Sequence, residues 1–310
     1  MLISVVIPVY NYEGVVGRAI QSALNQDYSE VEVVVVDDGS TDRTALVALS
    51  FGDRVRLIQQ PNAGLAAARN AGMIHAAGQW VFFLDADDFM APNALTVLHE
   101  ALGSQDNSCA LAACNPNILY EPVDVEVALT TETRREGQTA EIQWRQLVMG
   151  SQFPCTVLAR KQPLLDLGGF DPDFKRDGCE DRDMWLRVAA RYRIIRVPDC
   201  LVYIVGHGNN MSYNPEPQLR GRARCLRKAR QAGVVSAWNL PFWGRAYSAH
   251  YAAGSLLYSG KGLHGTAFFE ALKALLVYPF PGASVASNRA AFTRARRILV
   301  EGWRVIQSLI

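Results

Sequence analysis

The first hundred residues alternate short apolar runs with segments of helical periodicity, and this alternation restricts the fold more than any other feature. Val31–Val36 is almost wholly apolar, as expected for a strand that is covered on both faces. Val15–Leu24 instead repeats its apolar residues at helical spacing. Strands that alternate with helices predict an α/β fold with a mostly parallel, Rossmann-like sheet, flanking helices and right-handed crossovers. The predicted strands are Ile3–Val9, Val31–Val36, Val55–Gln59 and Trp80–Leu84, and the predicted helices are Val15–Leu24, Asp42–Phe51 and Gly64–Ala77.

Polar, glycine-rich or proline-rich loops follow these strands. They occupy residues 8–11, 37–42, 60–72 and 85–88. Because the carboxyl ends of parallel strands meet at one edge of an open sheet, and ligands bind there, we expect the functional side chains at this edge.

Three carboxylates, Asp85, Asp87 and Asp88, come directly after the apolar strand Trp80–Leu84. Their mutual repulsion favours a divalent cation, Mg²⁺ or Mn²⁺, although a solvated loop that caps a helix beginning at Pro92 is the simpler alternative. Residues two apart in an extended chain point to the same side. Asp85 and Asp87 can therefore contact the same ligand, while Asp88 is expected to point in another direction.

Several classes of protein are disfavoured by the sequence. It has no G-x-G-x-x-G after its first strand and no G-x-x-x-x-G-K-[ST], so dinucleotide oxidoreduction and P-loop phosphoryl transfer are not expected. Six cysteines without C-x-x-C spacing indicate a reduced, cytoplasmic chain. The N-terminal MLISVVIPVY is interpreted as a core strand rather than a signal peptide. The sequence has no uncharged apolar stretch of about 18 residues, so no membrane-spanning helix is expected.

Charge is distributed unevenly along the chain. Residues 1–215 carry 17 Lys and Arg against 27 Asp and Glu, whereas residues 216–310 carry 14 against 3. This change predicts a boundary near residue 215, followed by a basic helical extension with an anionic neighbour. Nucleic acid is not expected, since the extension lacks a zinc-finger, RNP or basic-zipper pattern. The basic helices are interpreted either as a cap packed on the first domain, which is slightly favoured, or as a peripheral contact with the inner face of the cytoplasmic membrane.

An ordered set of motifs over residues 1–212 resembles the inverting family-2 glycosyltransferases, which have the GT-A fold. The motifs are Val6-Ile-Pro-Val-Tyr-Asn11, Val36-Asp-Asp-Gly-Ser-Thr-Asp42, Pro61-Asn-Ala-Gly-Leu-Ala-Ala-Ala-Arg-Asn-Ala-Gly72, Leu84-Asp-Ala-Asp-Asp88, Gly168-Gly-Phe-Asp171 and Glu180-Asp-Arg-Asp-Met-Trp185. The resemblance implies a catalytic domain at 1–215, with a nucleotide-sugar half (1–110) and an acceptor half (111–215), followed by the extension at 216–310. The processive members' Gln-x-x-Arg-Trp motif is absent, which implies transfer of one sugar per encounter.

The resemblance also implies roles for single residues. Asp181 would be the catalytic base, and Glu180 would hold the acceptor or order its loop. Asp87 would bind the metal, with Asp85 contributing to the metal and to the ribose. His207 falls where some relatives place a further metal or phosphate contact. The residues implied to bind the nucleotide, usually a uridine diphosphate, are Pro8, Tyr10, Asp37, Asp38, Arg69 and Asp85.

The chemistry of sugar transfer explains why such residues are needed. A departing nucleoside diphosphate gains negative charge, which Mn²⁺ or Mg²⁺ stabilises, and a carboxylate can take the proton of an attacking hydroxyl. The expected activity is non-processive, inverting transfer of one sugar to a saccharide or lipid-linked acceptor in the synthesis of surface polysaccharides or glycoconjugates. A sugar-nucleotide pyrophosphorylase and a catalytically silent nucleotide-sugar-binding scaffold are the alternatives.

Overall fold

The computed structural model describes residues 1–130, 137–150, 156–206, 214–279, 297–305 and 307. Its described residues form two compact units that interleave along the chain. The first comprises Met1–Trp144, Gln152–Lys175 and Glu180–Gly208. The second comprises Arg145–Ser151, Arg176–Cys179 and Asn209–Ile310. The domain limits drawn from charge and motifs remain a prediction.

The first unit is built on one sheet with the strand order β3-β2-β1-β4-β8-β6-β9-β5, and β7 pairs with β9 beside this path. The four neighbouring strands β3, β2, β1 and β4 are mutually parallel, while β8 is antiparallel to both β4 and β6. The strands are β1 Ile3–Val9, β2 Val31–Asp37, β3 Val55–Gln59, β4 Trp80–Phe83, β5 Phe89–Met90, β6 Cys109–Tyr120, β7 Ala140–Glu141, β8 Val157–Arg160 and β9 Arg193–Gly206.

Helices flank this sheet. They are α1 Val16–Leu24, α2 Thr44–Leu49, α3 Leu65–His75, α4 Ala94–Gly103, α5 Val125–Thr130, α6 Trp144–Met149, α7 Lys161–Asp166 and α8 Glu180–Ala189. Two 3₁₀ turns lie at Gly52–Arg54 and Pro172–Phe174. The helix predicted to open at Pro92 begins instead at Ala94, with Asn93 at the N-cap position.

The core of the first unit lies between the sheet and its helices. All seven residues of β1 are buried, and so is the apolar face of α1 formed by Val16, Ala19, Ile20 and Ala23. Helix α3 also packs closely on the sheet, because Gly72 faces β1 and β2. A Cβ atom at Gly72 would lie 2.2 Å from Cγ1 of Val6 and 3.1 Å from Cγ2 of Val36. Close packing of this helix holds the loop before it against the exits of the strands.

The second unit is helical. It contains α9 Pro215–Gln231, α10 Leu240–Gly260 and α11 His264–Val277, followed by a helical segment at residues 297–305. The helices α10 and α11 form an antiparallel hairpin, in which Ser248 Oγ donates to the carbonyl of Ala274 at 2.7 Å. Within the described ranges, no helix combines the length and the apolar character needed to cross a membrane.

Candidate active site

The first four loops lie together because of the register of the parallel strands. Val9 at the end of β1 is aligned with Asp37 at the end of β2, which in turn is aligned with Gln59 at the end of β3. On the other side of β1, Val6 is aligned with Phe83, and the N–H of Leu84 donates to the carbonyl of Val6 at 3.0 Å. The loops that follow the four strands therefore open at one edge of the sheet, as the sequence predicts.

Loop 10–15 after β1 is fixed to loop 38–43 after β2. Asn11 has a positive φ of 56°, a conformation that asparagine tolerates better than most residues. Its side-chain oxygen accepts the N–H of Thr41 at 2.8 Å, and its own N–H donates to Ser40 Oγ at 2.9 Å. Two residues implied to bind the nucleotide flank this link, since Pro8 is buried in β1 and Tyr10 is exposed just after it.

Asp37 and Asp38, both implied to contact the nucleotide, are buried and already bonded to the chain. Asp38 accepts the N–H groups of Ala63 at 2.9 Å and Gly64 at 2.7 Å, and also the side-chain amide of Gln60 at 2.6 Å. Asp37 accepts the N–H of Ser40 at 2.9 Å. Both carboxylates thus shape the loops after β2 and β3, and their contact with a base remains a prediction.

The three acids after β4 face different partners. Asp88 is buried and accepts the N–H of Val205 at 3.0 Å, so it points away from the other two, as the strand-exit pattern suggests. Asp85 and Asp87 are partly exposed. Burial raises the pKa of Asp88 well above its ordinary value, and the negative charges of Asp85 and Asp87 raise it further. The exit of β4 therefore concentrates negative charge.

Two residues that the sequence reasoning missed contact this acidic loop. Tyr12 is hydrogen-bonded to the side chain of Asp87, and burial, followed by the charges of Asp87, Asp85 and Asp88, raises the pKa of Tyr12 to about 12. Arg18 of α1 donates to the carbonyl of Asp87 and stacks over the ring of Phe89. Arg18 is the only charged residue of α1, which is the signal that could have identified it.

Arg69 joins the acidic loop to α8. Its side chain is 2% exposed, donates to Asp85 Oδ1 at 2.7 Å and forms an ion pair with Glu180. The guanidinium also lies over the ring of Phe170, 5.5 Å from its centre. Arg69 is therefore a buried bridge between the exit of β4 and the start of α8. The role of Glu180, to hold the acceptor or to order its loop, remains a prediction.

Asp181 stands in the first turn of α8, beside this bridge. The residue as a whole is partly exposed, but its carboxyl group is surrounded by protein atoms, and its Oδ1 accepts the N–H of Arg182 at 2.6 Å. No other hydrogen bond or ion pair holds it among the residues described. Burial and the charge of Glu180 raise the pKa of Asp181 to about 7, against the opposing effect of Arg69. The group can therefore accept a proton near neutral pH.

The neighbouring acid of α8, Asp183, has structural contacts. Asp183 is buried and accepts Nε of Arg187 at 2.8 Å, and Arg187 also donates to the carbonyls of Leu167 and Gly169. This network attaches α8 to the turn after α7. His207, a predicted metal contact, lies outside the described residues.

The donor atoms of the acidic loop are of the kind that binds a hard divalent cation. Within the described ranges, no three His, Cys, Asp or Glu side chains are arranged as a complete metal site. However, Mg²⁺ and Mn²⁺ accept one or two carboxylates together with substrate phosphates. Asp85 and Asp87 supply such hard oxygen ligands, and their charge raises the pKa of both Tyr12 and Asp88. The residues present fit a divalent cation that is shared with a diphosphate.

Two solved structures share this architecture. TarS of S. aureus superposes with a TM-score of 0.63 at 18% identity, covering 99% of this chain and 55% of TarS. A mannosyltransferase of Pyrobaculum calidifontis, in complex with GDP-Man and Mn²⁺, gives a TM-score of 0.62 at 21% identity, covering 99% of this chain and 86% of that one. At these identities the likeness concerns the fold, and it confirms the predicted GT-A type.

Sequence comparison identifies the family. Two uncharacterised glycosyltransferases, from Rickettsia typhi and Rickettsia prowazekii, are each 30% identical to this chain, over 194 and 186 residues. The matched segments cover 62% and 60% of this chain but only 60% and 58% of those relatives. The family model described as glycosyl transferase family 2 matches residues 4–167, more than half of the chain. The predicted family is thus confirmed, and the chain belongs to glycosyl transferase family 2.

Proposed function

We propose that this protein transfers one sugar from a nucleoside-diphosphate donor, with uridine the favoured nucleoside, to a hydroxyl group of a saccharide or lipid-linked acceptor, with inversion at the anomeric carbon. The observation that carries the proposal is the position of Asp181. This carboxylate, with a pKa of about 7, lies at the bridge of Arg69 and Glu180 that leads to the acidic exit of β4. The proposed proton acceptor and the proposed diphosphate site therefore belong to one unit of the structure.

Each of these side chains has a task in the proposed reaction. The deprotonated Asp181 accepts the proton of the attacking hydroxyl as the new C–O bond forms. Glu180 and Arg69 hold the start of α8 in place, and Asp181 lies in this first turn of the helix. Attack on the face opposite the departing diphosphate inverts the anomeric carbon, so no covalent enzyme nucleophile is needed.

The acidic loop would hold the metal in the same proposal. Asp87, with Asp85, would be the protein ligand of Mn²⁺ or Mg²⁺, and Tyr12 and Arg18 fix the position of Asp87. When bound, the cation supplies charge stabilisation for the departing diphosphate. The complex of the Pyrobaculum calidifontis mannosyltransferase contains GDP-Man and Mn²⁺, and that of TarS residues 1–349 contains UDP-GlcNAc, which supports a nucleotide sugar as the donor.

Replacement of Asp181 by Asn tests the proposal. The amide keeps the size of the side chain but accepts no proton, so we expect transfer to fall by about 10² to 10⁴-fold. Binding of nucleoside diphosphate with Mn²⁺, measured by calorimetry, should change little. Asp53→Asn, a loss of one exposed carboxylate from the same unit, is the control. Full turnover by Asp181→Asn would refute the assigned base, and a wild type that binds donors but never transfers would be a silent binding protein.

The acceptor and the location of the protein complete the proposal. A lipid-linked acceptor would bring the enzyme to the inner face of the cytoplasmic membrane, with the helices after residue 215 as the contact. The excess of basic residues there supports this location, since residues 216–310 carry 14 Lys and Arg against 3 Asp and Glu.

A further inference from the structure

The second unit has an open surface pocket, here called the arginine cavity, lined by two arginines that form no ion pair with a described residue. Its volume is about 360 Å³, and Arg145, Gln146 and Met149 of α6 face Phe242 and Arg245 of α10 across it. In the described part of the chain, neither Arg145 nor Arg245 forms an ion pair. Arg145 instead lies over the ring of Phe242, 5.7 Å from its centre. Two uncompensated guanidinium groups beside an aromatic ring are suited to an anion that carries an apolar body.

Exposed apolar side chains surround the same end of the α10–α11 hairpin. Trp238 is 86% exposed and Leu240 is 65% exposed, just before and at the start of α10. Leu276, at the end of α11, is 72% exposed. The two ends are adjacent, because a Cβ atom at Gly244 would lie 3.4 Å from the carbonyl oxygen of Val277. Cavity and apolar residues therefore share one end of the hairpin, which we call the apolar tip (Trp238, Leu240, Leu276 and Val277).

The loop that carries Trp238 is held in place. Trp243 Nε1 donates to the carbonyl of Ser236 at 3.0 Å, and Arg230 donates to the carbonyl of Ala237 at 2.7 Å. At the other end of this short loop, Asn239 Oδ1 accepts the N–H of Phe242 and caps α10. Trp238 is thus presented to solvent by a fixed backbone, at a free-energy cost that a partner surface would offset.

Charge identifies the partner. Residues 217–269 contain no Asp or Glu but eight Lys and Arg. Tryptophan and leucine beside basic residues match the interface of an anionic bilayer, where aromatic rings lie at the level of the headgroups. An acidic protein partner could also bind the arginines. However, it gives no general reason for tryptophan and leucine to be exposed together.

We propose that the arginine cavity binds the phosphate of an anionic lipid headgroup while the apolar tip enters the bilayer interface. Arg145 and Arg245 donate to the phosphate oxygens, and the ring of Phe242 contacts the glycerol or acyl portion. The site belongs to the second unit. It rests on the membrane contact that the proposed function gives to the helices after residue 215, but not on the assignment of Asp181 or of the metal ligands.

Binding of the full-length chain to vesicles tests this proposal. We expect sedimentation with vesicles of phosphatidylcholine and phosphatidylglycerol, but not with phosphatidylcholine alone. Arg145→Ala and Arg245→Ala should each weaken binding by about fivefold, as expected when one basic residue near a charged membrane surface is lost. Arg227→Ala, which removes the same charge from an exposed position of α9, is the matched control and should have a smaller effect. Equal effects of all three would show general electrostatic attraction and overturn the cavity site.

The apolar tip has a test of its own. The tryptophan fluorescence of the wild type should shift to the blue on anionic vesicles, and Trp238→Phe should lose most of that shift. Trp238→Ser should weaken binding, whereas Leu46→Ser, at an exposed leucine of the first unit, should not. Cavity binding of inorganic phosphate without vesicle binding would reject a lipid as the source of the phosphate. Concentration-dependent dimers that Trp238→Ser dissolves would reject the membrane in favour of a second copy of this chain.

Transfer activity separates this inference from the proposed function. Asp181→Asn should bind vesicles like the wild type, and the arginine variants should transfer to soluble acceptors like the wild type. Vesicle binding that is lost in Asp181→Asn would contradict the independence of the two sites.

Discussion

Asp181 makes activity dependent on pH at the scale of one residue. The base is active only when it is deprotonated, and its pKa lies at about 7 because of burial and the neighbouring Glu180. We therefore expect kcat/KM to rise about tenfold per pH unit below pH 6 and to level off above pH 8. The measurement is a pH profile with saturating Mn²⁺. An acidic limb near pH 4 would mean that Asp181 has an ordinary carboxylate pKa or is not the base.

The same pKa has an opposite consequence for stability. A carboxylate whose folded pKa is raised holds its proton more tightly in the folded state, so its contribution to stability falls as pH rises from about 4 to 7. Asp181→Asn avoids burying this charge, and we expect it to be more stable than the wild type at pH 8 by about 1–3 kcal/mol. At pH 4 the two proteins should have similar stability in urea unfolding. A variant that is less stable at pH 8 would contradict this sign.

The neighbouring acids Asp87 and Asp88 should differ in their response to the same substitution. Asp87→Asn removes a metal ligand, and we expect Mn²⁺-dependent transfer to fall by about 10² to 10³-fold. Asp88→Asn keeps an oxygen that can accept the N–H of Val205, so activity and fold should both be retained. Asp88→Ala leaves that N–H buried without an acceptor and should cost about 1–3 kcal/mol of stability. Equal losses of activity in Asp87→Asn and Asp88→Asn would contradict the assignment of Asp87 as the metal ligand and of Asp88 as a structural acceptor.

The sequence placed most of the site side chains on the correct edge of the sheet, but it could not give their partners. The exits of β1, β2 and β4 follow from strands that are almost wholly apolar. However, the ion pairs of Arg69 with Asp85 and Glu180 join residues 16 and 111 positions apart, and only the folded chain brings these side chains together. Tyr12 was missed for a related reason, since its link to Asp87 joins the exits of β1 and β4, which are far apart in the sequence.

At the scale of secondary structure, Gly72 sets how closely α3 approaches the sheet. Gly72→Ala would place a methyl group 2.2 Å from Cγ1 of Val6, inside a strand that cannot yield easily. We expect a loss of about 1–3 kcal/mol in the free energy of unfolding, measured in urea. Gly103→Ala is the control, because nothing lies within 4 Å of a Cβ atom there, at the last residue of α4. It should be neutral or slightly stabilising, and an equal loss in both variants would refute the packing argument.

The elements with strong apolar patterns were predicted closely, and the others were not. The strands Ile3–Val9 and Val55–Gln59 have the predicted bounds, whereas the helix predicted at Asp42–Phe51 is only Thr44–Leu49. Asp42 lies two residues before that helix, and its carboxylate accepts the N–H of Thr44, the first helical residue, at 3.0 Å. The second half of the sheet could not be predicted, because its pairing of β4 with β8 and of β6 with β9 joins distant segments without a repeated pattern.

At the scale of the whole molecule, charge and structure divide the chain in related but different ways. The acidic excess ends near residue 215, while the second compact unit also takes up Arg145–Ser151 and Arg176–Cys179. Short segments that leave one unit for another carry no compositional signal, so such an exchange is invisible in the sequence. It matters here because Arg145 comes from one of these segments and lines the cavity of the second unit.

Binding of a nucleotide should stabilise the first unit selectively. A ligand that binds only the folded state at one hundred times its Kd adds about 2.7 kcal/mol, which corresponds to a rise of about 5–10 °C in Tm for a unit of roughly 200 residues. We expect this rise with uridine or guanosine diphosphate plus Mn²⁺ and a much smaller one with EDTA, because the acids after β4 repel a diphosphate without a cation. Hydrogen exchange should slow at the exits of β1, β2 and β4, and remain unchanged in α10 and α11. Asp87→Asn should lose the Mn²⁺-dependent part of the rise, and a rise of equal size in EDTA would show that the nucleotide binds without a metal at this edge of the sheet.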